Sequence, residues 1–228
     1  MLEVTDNLED AKSWAQTALG AKNAAKYYMS ASNLIIAYRE FGSFSFLTQD
    51  EYIYSQLYGP NAYFDDRCDY LSSRDDEIDL SGKMQSGRGF QFWEAMTTET
   101  GSPIDILRDS AEINQLIDEH APDSSVRPGD PEEVFWGGIR NEAQELIALG
   151  VIVKWQSGFH IMASVVTRIG DRGKGFATKL SAGMIAHAHS LGIQEIGLGV
   201  RSTNLSAQRA YEKAGFKALA EFTNYSRE

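Results

Sequence analysis

The sequence predicts a mixed α/β fold built on a central, mostly antiparallel sheet flanked by helices, preceded by a further α/β lobe at the N-terminus. Three observations predict it. In the second half of the chain the apolar spacing switches between a period of two and a helical period, in the order β-α-β-β-β-α-β-α-β. Glycine, asparagine and proline stand where the period changes. The first half shows a helical stripe followed by strand-like alternation, but with a different charge balance. Residues 1–100 hold 8 Lys and Arg against 16 Asp and Glu, and residues 101–228 hold 13 against 16. With Gly101-Ser102-Pro103 as the break, the expected lobes are 1–100 and 101–228.

In the first lobe Leu8, Ala11, Trp14, Ala15, Ala18 and Leu19 recur at helical spacing and stop at Gly20. Leu34 to Tyr38 reads as a strand, and Gly42 with alternating Phe44 and Phe46 as a turn into a second. The stretch from Tyr70 to Gly89, rich in Ser, Gly and Asp, reads as a long loop, and no internal repeat is visible. The aromatics Tyr52, Tyr54, Tyr58, Tyr63 and Phe64 are expected in the core of this lobe, with the lining of an acceptor pocket as the alternative.

The second lobe opens with a short strand, Ile104 to Leu107. Asp109 stands three residues before Glu112, a capping-box arrangement ahead of Ile113, Leu116 and Ile117, and Pro122 closes that helix. Val134–Ile139, Leu146–Trp155 and His160–Ile169 follow as an antiparallel meander, the last two joined by the turn Gln156-Ser157-Gly158. Ala177, Leu180, Met184, Ala188 and Leu191 mark a helix ended by Gly192, and Ile193–Val200 is the next strand. Asn204 caps a last helix, Gly215 closes it, and Phe216 onward runs extended.

At 228 residues the chain can bury a substantial core, since domains are usually about 100 to 150 residues. Its net charge of −11 argues against a non-specific grip on nucleic acid, which needs clustered Lys and Arg. It is compatible with a cationic substrate. The single cysteine, Cys68, cannot form an internal disulfide, which predicts a reducing compartment; the acidic surroundings argue against a nucleophilic thiolate. The first twenty residues lack the apolar core of a signal peptide, and no run of about eighteen apolar residues occurs. These features predict a cytoplasmic protein with no membrane contact. His187 and His189, two apart on a helix, point to different sides, and Asp75 to Asp79 lacks the spacing of a calcium loop, so no metal is expected.

Chemistry concentrates where Val165-Val166-Thr167 runs through Arg168-Ile169-Gly170-Asp171-Arg172-Gly173-Lys174-Gly175 into Phe176-Ala177-Thr178. Gly173 and Gly175 permit positive φ and close backbone approach, so successive N–H groups at a helix start can converge on phosphate oxygens, with Arg172 and Lys174 beside them. The same pattern superficially copies a dinucleotide fingerprint, but only 50 residues follow Thr178, too few for a doubly wound sheet. Gly170 to Lys174 has two residues, not four, between Gly and Gly-Lys, so it is no Walker loop.

Arg172-Gly173-Lys174-Gly175-Phe176-Ala177 resembles the coenzyme-binding motif of the GNAT superfamily of acyl-CoA N-acyltransferases, and Val165-X-Thr167 resembles the strand before it. Asn204-X-X-Ala207-X-X-X-Tyr211-X-X-X-Gly215-Phe216 is similar to that family's final helix. The resemblance covers about residues 103 to 228. It implies acetyl-CoA as cosubstrate, with its pyrophosphate at Arg172, Gly173, Lys174, Gly175, Phe176, Ala177 and Thr178. Pantetheine would pair with the strand edge at Val165, Val166 and Thr167, where an N–H polarises the thioester carbonyl. Asn204 and Ala207 would support the coenzyme, and Tyr211 would protonate the departing thiolate.

The acceptor implied is an amine, on a small molecule or a protein. Glu145 and Glu195 are favoured over His160 as the base. The N-terminal lobe is assigned to shaping the acceptor site or to an interface, a homodimer included. The competing reading is a non-catalytic coenzyme A-binding sensor or interaction module.

Overall fold

The computed structural model describes residues 1–18, 21–74, 80 and 84–227. The expectations for Leu19, Gly20 and Asp75 to Asp79 lie outside these. Along the first half run β1 (Glu3–Thr5), α1 (Leu8–Thr17), α2 (Ala24–Tyr28), β2 (Leu34–Glu40), β3 (Ser43–Gln49), β4 (Ile53–Tyr58), β5 (Tyr70–Ser73) and β6 (Gln85–Met96). The second half runs β7 (Asp105–Leu107), α3 (Ser110–His120), β8 (Glu133–Arg140), β9 (Leu146–Lys154), β10 (His160–Thr167), α4 (Phe176–Ser190), β11 (Glu195–Arg201), α5 (Leu205–Ala214) and β12 (Lys217–Ser226). The second half follows the predicted order, and the fold is the expected mixed, mostly antiparallel sheet flanked by helices.

All the described strands join one sheet, in the order β1-β2-β3-β4-β5-β12-β6-β11-β10-β9-β8-β7. Read from its two ends, that order is one pattern twice. In each half a short strand and helix, two helices in the first half and one in the second, lead into three antiparallel strands, and a parallel neighbour follows: β4 beside β5, and β10 beside β11. The final strands then change places. β6 pairs with β11 of the second half, β12 pairs with β5 of the first, and the two lie antiparallel to each other. A repeat therefore exists in the strand pairing although the residues show none, because backbone hydrogen bonds fix a topology that many side-chain patterns can dress.

The two copies differ at one connection. Between β10 and β11 lies the fifteen-residue α4; residues 59–69, between β4 and β5, contain no helix. That stretch instead buries Asp65, which holds Arg67 and the Tyr38 hydroxyl. Arg67 keeps the Asp65 carboxyl down at about 2. Acidic and helix-free, this connection offers nothing to an anion.

Helices cover both faces. Ile196, Leu198 and Val200 of β11 join Leu180 and Met184 of α4 and Tyr211 of α5 in one buried cluster. On the other face α1, α2 and α3 pack against Phe92, Val151, Phe159 and Val166. Asp109 accepts from the amides of Ala111 and Glu112, as its spacing predicts; the Glu112 carboxylate, rather than closing the capping box, forks onto Arg140 at 2.5 and 2.6 Å. No helix among the described residues is long and apolar enough to cross a membrane.

The stretch read as a loop from Tyr70 to Gly89 holds β5 and the start of β6 instead. Gly87 serves close packing: a Cβ there would stand 2.3 Å from the carbonyl oxygen of Asn224 in β12. β1 and α2 also went unread, being three and five residues long.

Phe92 of β6, 2% exposed, packs on Tyr27 at 4.6 Å between ring centres and on Phe159 at 6.4 Å, so one side chain of a shared strand ties both halves. Phe92→Ala should cost about 3–5 kcal/mol. Urea denaturation followed by tryptophan fluorescence and by far-ultraviolet dichroism should give one coincident transition at a lower midpoint; two separate transitions would show that the halves are not coupled.

Candidate functional site: a glycine cradle beside a splayed strand pair

β10 and β11 run parallel but share one paired position, Ile161 with Gly197. Beyond it β10 keeps its bonds to β9, with a break in register between Ala163 and Val166, while β11 stays paired with β6 from Glu195 to Arg201. The β11-facing edge of β10 is thus left without a strand partner through Val165, Val166 and Thr167, where an extended ligand could add. At the break Ser164 adopts φ of +45°. Its hydroxyl donates to the carbonyl oxygen of Val126 at 3.0 Å and accepts from the Val126 amide at 3.1 Å, which fastens the bulge to the segment after α3.

The chain leaves β10 through a single 3-10 turn, Ile169–Asp171, and enters α4 over two left-handed glycines, Gly173 at φ +78° and Gly175 at +86°. A Cβ at either would meet nothing within 4 Å, so backbone conformation and open space, not crowding, demand glycine there. Gly175 is the N-cap and has no side chain to cap with. The first helical bond runs from the Lys179 amide to the Gly175 carbonyl at 3.1 Å. Among the described residues the amides of Gly173, Lys174, Gly175, Phe176, Ala177 and Thr178 meet no backbone carbonyl. Unpaired donors at the positive end of a helix macrodipole form an anion site.

The cradle is braced by charge. Asp171 binds Arg168 at 2.6 Å and Lys174 at 2.8 Å, and Arg168 reaches Glu145 at 3.1 Å. The hydrogen bond from Lys174, then that from Arg168, lowers the Asp171 pKa. Arg172 donates to the carbonyls of Thr167 at 3.2 Å and His120 at 2.9 Å. Both cations expected to face an anion directly therefore also hold the loop that presents the amides. Sequence reasoning gave no role to Arg168 and Asp171, and placed Ser164 only at the start of the strand edge where pantetheine would pair. Only the i, i+3 spacing of Arg168, Asp171 and Lys174 could have flagged the first two.

Across the sheet α5 begins at Asn204, whose side-chain oxygen accepts from the Ala207 amide at 3.2 Å and the Ser206 hydroxyl at 3.1 Å. Ala207 packs against the cluster under α4. Tyr211, on the same helix, is 8% exposed and meets Phe216 edge-on at 6.0 Å. Burial pushes its phenol up to about 12, so it stays protonated across the neutral range.

The three base candidates lie apart from one another. Glu145, exposed in the β8–β9 turn, has its pKa lowered by the Asn141 amide and by Arg168. His160 opens β10 at the paired end of the splay, and burial, with Lys154 nearby, lowers its pKa. Glu195 opens β11, where Lys26 of α2 bridges it to Glu94, 2.5 Å from each. Burial raises its pKa, with Glu94 adding to the rise and Lys26 opposing it. Cys68 is buried and its thiol is pushed up to about 11, chiefly by that burial, so it is no nucleophile.

A sequence profile described as the Acetyltransferase (GNAT) family matches residues 103–216. A comparison with curated protein sequences finds no match. Among solved structures, a GCN5-related N-acetyltransferase from Sphaerobacter thermophilus is 12% identical, with 100% of this chain and 95% of that one covered at a TM-score of 0.58. A GNAT-family protein from Novosphingobium aromaticivorans is 19% identical over 70% of this chain and 74% of that one, at 0.56. A GNAT-family acetyltransferase from Colwellia psychrerythraea is 12% identical over 100% of both chains, at 0.52. At these identities the likeness is one of fold.

Ser164→Ala should destabilise the protein by about 1–3 kcal/mol, because both backbone groups of Val126 lose their partner. Chemical denaturation reads this directly; an unchanged midpoint would mean that the bulge stands without the bridge.

Proposed function

The chain belongs to the Acetyltransferase (GNAT) family, and we propose that it transfers an acetyl group from acetyl-CoA directly to an amine, with both held at once and no covalent enzyme intermediate. The observation that carries this reading is the run of six amides from Gly173 to Thr178 left without backbone acceptors beside an open strand edge. Acetyl-CoA supplies an activated acetyl thioester carried on a diphosphate handle.

The residues present suit that molecule in order along its length. Amides of Gly173 to Thr178 donate to diphosphate oxygens at the start of α4. The edge at Val165, Val166 and Thr167 pairs with the pantetheine amides as an added strand would. An N–H of the same edge donates to the thioester carbonyl oxygen, in a site whose donors are already fixed by β9 pairing and by the Ser164 bridge. Asn204 holds the first turn of α5 in place, and Ala207 keeps its face small.

Tyr211 donates a hydrogen bond to the leaving sulfur. Its raised pKa keeps the proton on the phenol and makes it a weaker acid than a thiol, so the residue acts as a hydrogen-bond donor to the sulfur as negative charge develops there. As base, Glu195 fits better than Glu145. Burial raises its proton affinity and it lies on the face opposite Tyr211, whereas Asn141 and Arg168 hold Glu145 low. A water relay from the acceptor nitrogen would complete the path. A net charge of −11 favours the approach of a cationic amine. Alignment of amine and thioester in one cleft supplies much of the acceleration.

Two substitutions separate the parts. Gly175→Glu sets a carboxylate at the mouth of the cradle and strains a left-handed position; coenzyme A affinity measured by calorimetry should fall about 100-fold, and unaltered affinity would refute the cradle. Tyr211→Phe should slow thiol release from acetyl-CoA, assayed over a panel of amines, by roughly 100-fold with coenzyme affinity nearly intact. Full turnover in that variant would remove Tyr211 from the chemistry.

A further inference from the structure

At the other end of β10 from the glycine cradle, the hairpin joining β9 to β10 closes over the first half of the chain and leaves a cavity of about 270 Å³. Tyr28, Asp50, Tyr54 and Gln56 come from the first half, and Glu132 and Trp155 from the second. The rings of Tyr28 and Trp155 stack at 5.8 Å and 29°, and Tyr54 stands at the rim, 38% exposed. Among the described residues no Lys, Arg or His lines the space.

The charged groups present are of one sign, among amides and hydroxyls. Asp50 accepts from Gln156 at 2.8 Å and stands near Glu132. Burial, then Asp50 and Asp130, raises the Glu132 pKa, as like charges do when no cation sits between them. Gln56 is 8% exposed, and its side-chain oxygen is buried without a hydrogen-bond partner. A buried acceptor left unmade costs free energy, so its retention in a walled space points to a donor that comes from outside the chain.

We infer that this cavity binds a small organic ammonium bearing at least one N–H, with the charge against Asp50 and Glu132, the alkyl groups on the faces of Tyr28 and Trp155, and the N–H given to Gln56. Aromatic faces with carboxylates behind them attract alkylammonium ions more strongly than hydrated inorganic ones, because the rings replace a loosely held hydration shell. A metal is a poorer occupant: among the described residues no group of three or more His, Cys, Asp or Glu is placed to hold one. The volume suits a metabolite-sized head group; pockets for drug-sized ligands begin at about 300 Å³. Because the walls of this cavity come from both halves, its filling would stiffen the junction between them. The inference does not depend on acetyl transfer.

The test uses the whole protein and three probes of nearly one shape: trimethylammonium, tetramethylammonium and tert-butanol, each titrated by calorimetry at constant ionic strength in potassium chloride. Saturable binding of trimethylammonium, weaker binding of tetramethylammonium for want of an N–H, and no saturation by tert-butanol is the expected result. Glu132→Gln and Gln56→Met should each weaken trimethylammonium about tenfold. Glu132 lies at the surface of a loop, so its variant keeps the test open should the buried Gln56→Met fail to fold. Equal responses to the cation and to tert-butanol, no saturable binding at all, or wild-type affinity in Glu132→Gln would overturn the assignment.

Discussion

A sheet can open a cleft between two of its own strands only if each is held firmly from its far side, and β11 is so held. β6 pairs with it over its whole length, from Glu195 opposite Met96 to Arg201 opposite Phe90, so β11 can part from β10 after Ile161 without becoming a loose edge. β10 is secured in turn by β9, apart from the break that Ser164 bridges to Val126. The open edge, the turn into α4 and the amides at its start all follow from that double anchoring. The clamp on β11 is a strand of the other half of the chain, which makes the first hundred residues part of the frame around the cleft.

The loop at the cleft's end shows how little of an anion site needs to be charged side chain. Lys174 and Arg168 are drawn together by Asp171, and Arg172 spans two carbonyls, so the cations fix the path of the backbone while the N–H groups stay free. Asp171 ionises more readily here than in an unfolded chain. The brace is therefore complete at neutral pH and is lost as pH falls through the lowered carboxyl pKa, when Lys174 and Arg168 are released.

Much of this was legible in the residues where punctuation and period agree. Gly175 and Gly215 take the left-handed conformations their positions call for, Asn204 and Asp109 cap as their spacing says, and α4 and α5 show their stripes. Legibility failed in the first half for a physical reason. β6 carries Gly87 because the chain opposite it comes too close for a side chain, and in sequence that is indistinguishable from a loop. α2 is too short to show a period, and the exchange of β6 and β12 leaves no local signal, since it is specified by pairing across more than a hundred residues. Within the site, the glycines announced the cradle, but the tasks of Arg168 and Asp171 depended on neighbours that only the fold brings near.

The crossed final strands also bear on how the chain is made. On the ribosome β5 emerges with one flank unsatisfied and β6 with both, and each waits for β12, which is translated more than a hundred residues after them. Until then the nascent polypeptide displays raw strand margins to every neighbouring molecule, the circumstance in which aggregation competes with folding. Synthesis of this protein thus carries a delayed commitment step, and cellular chaperones have most to do for it in the interval before β12 is free to pair.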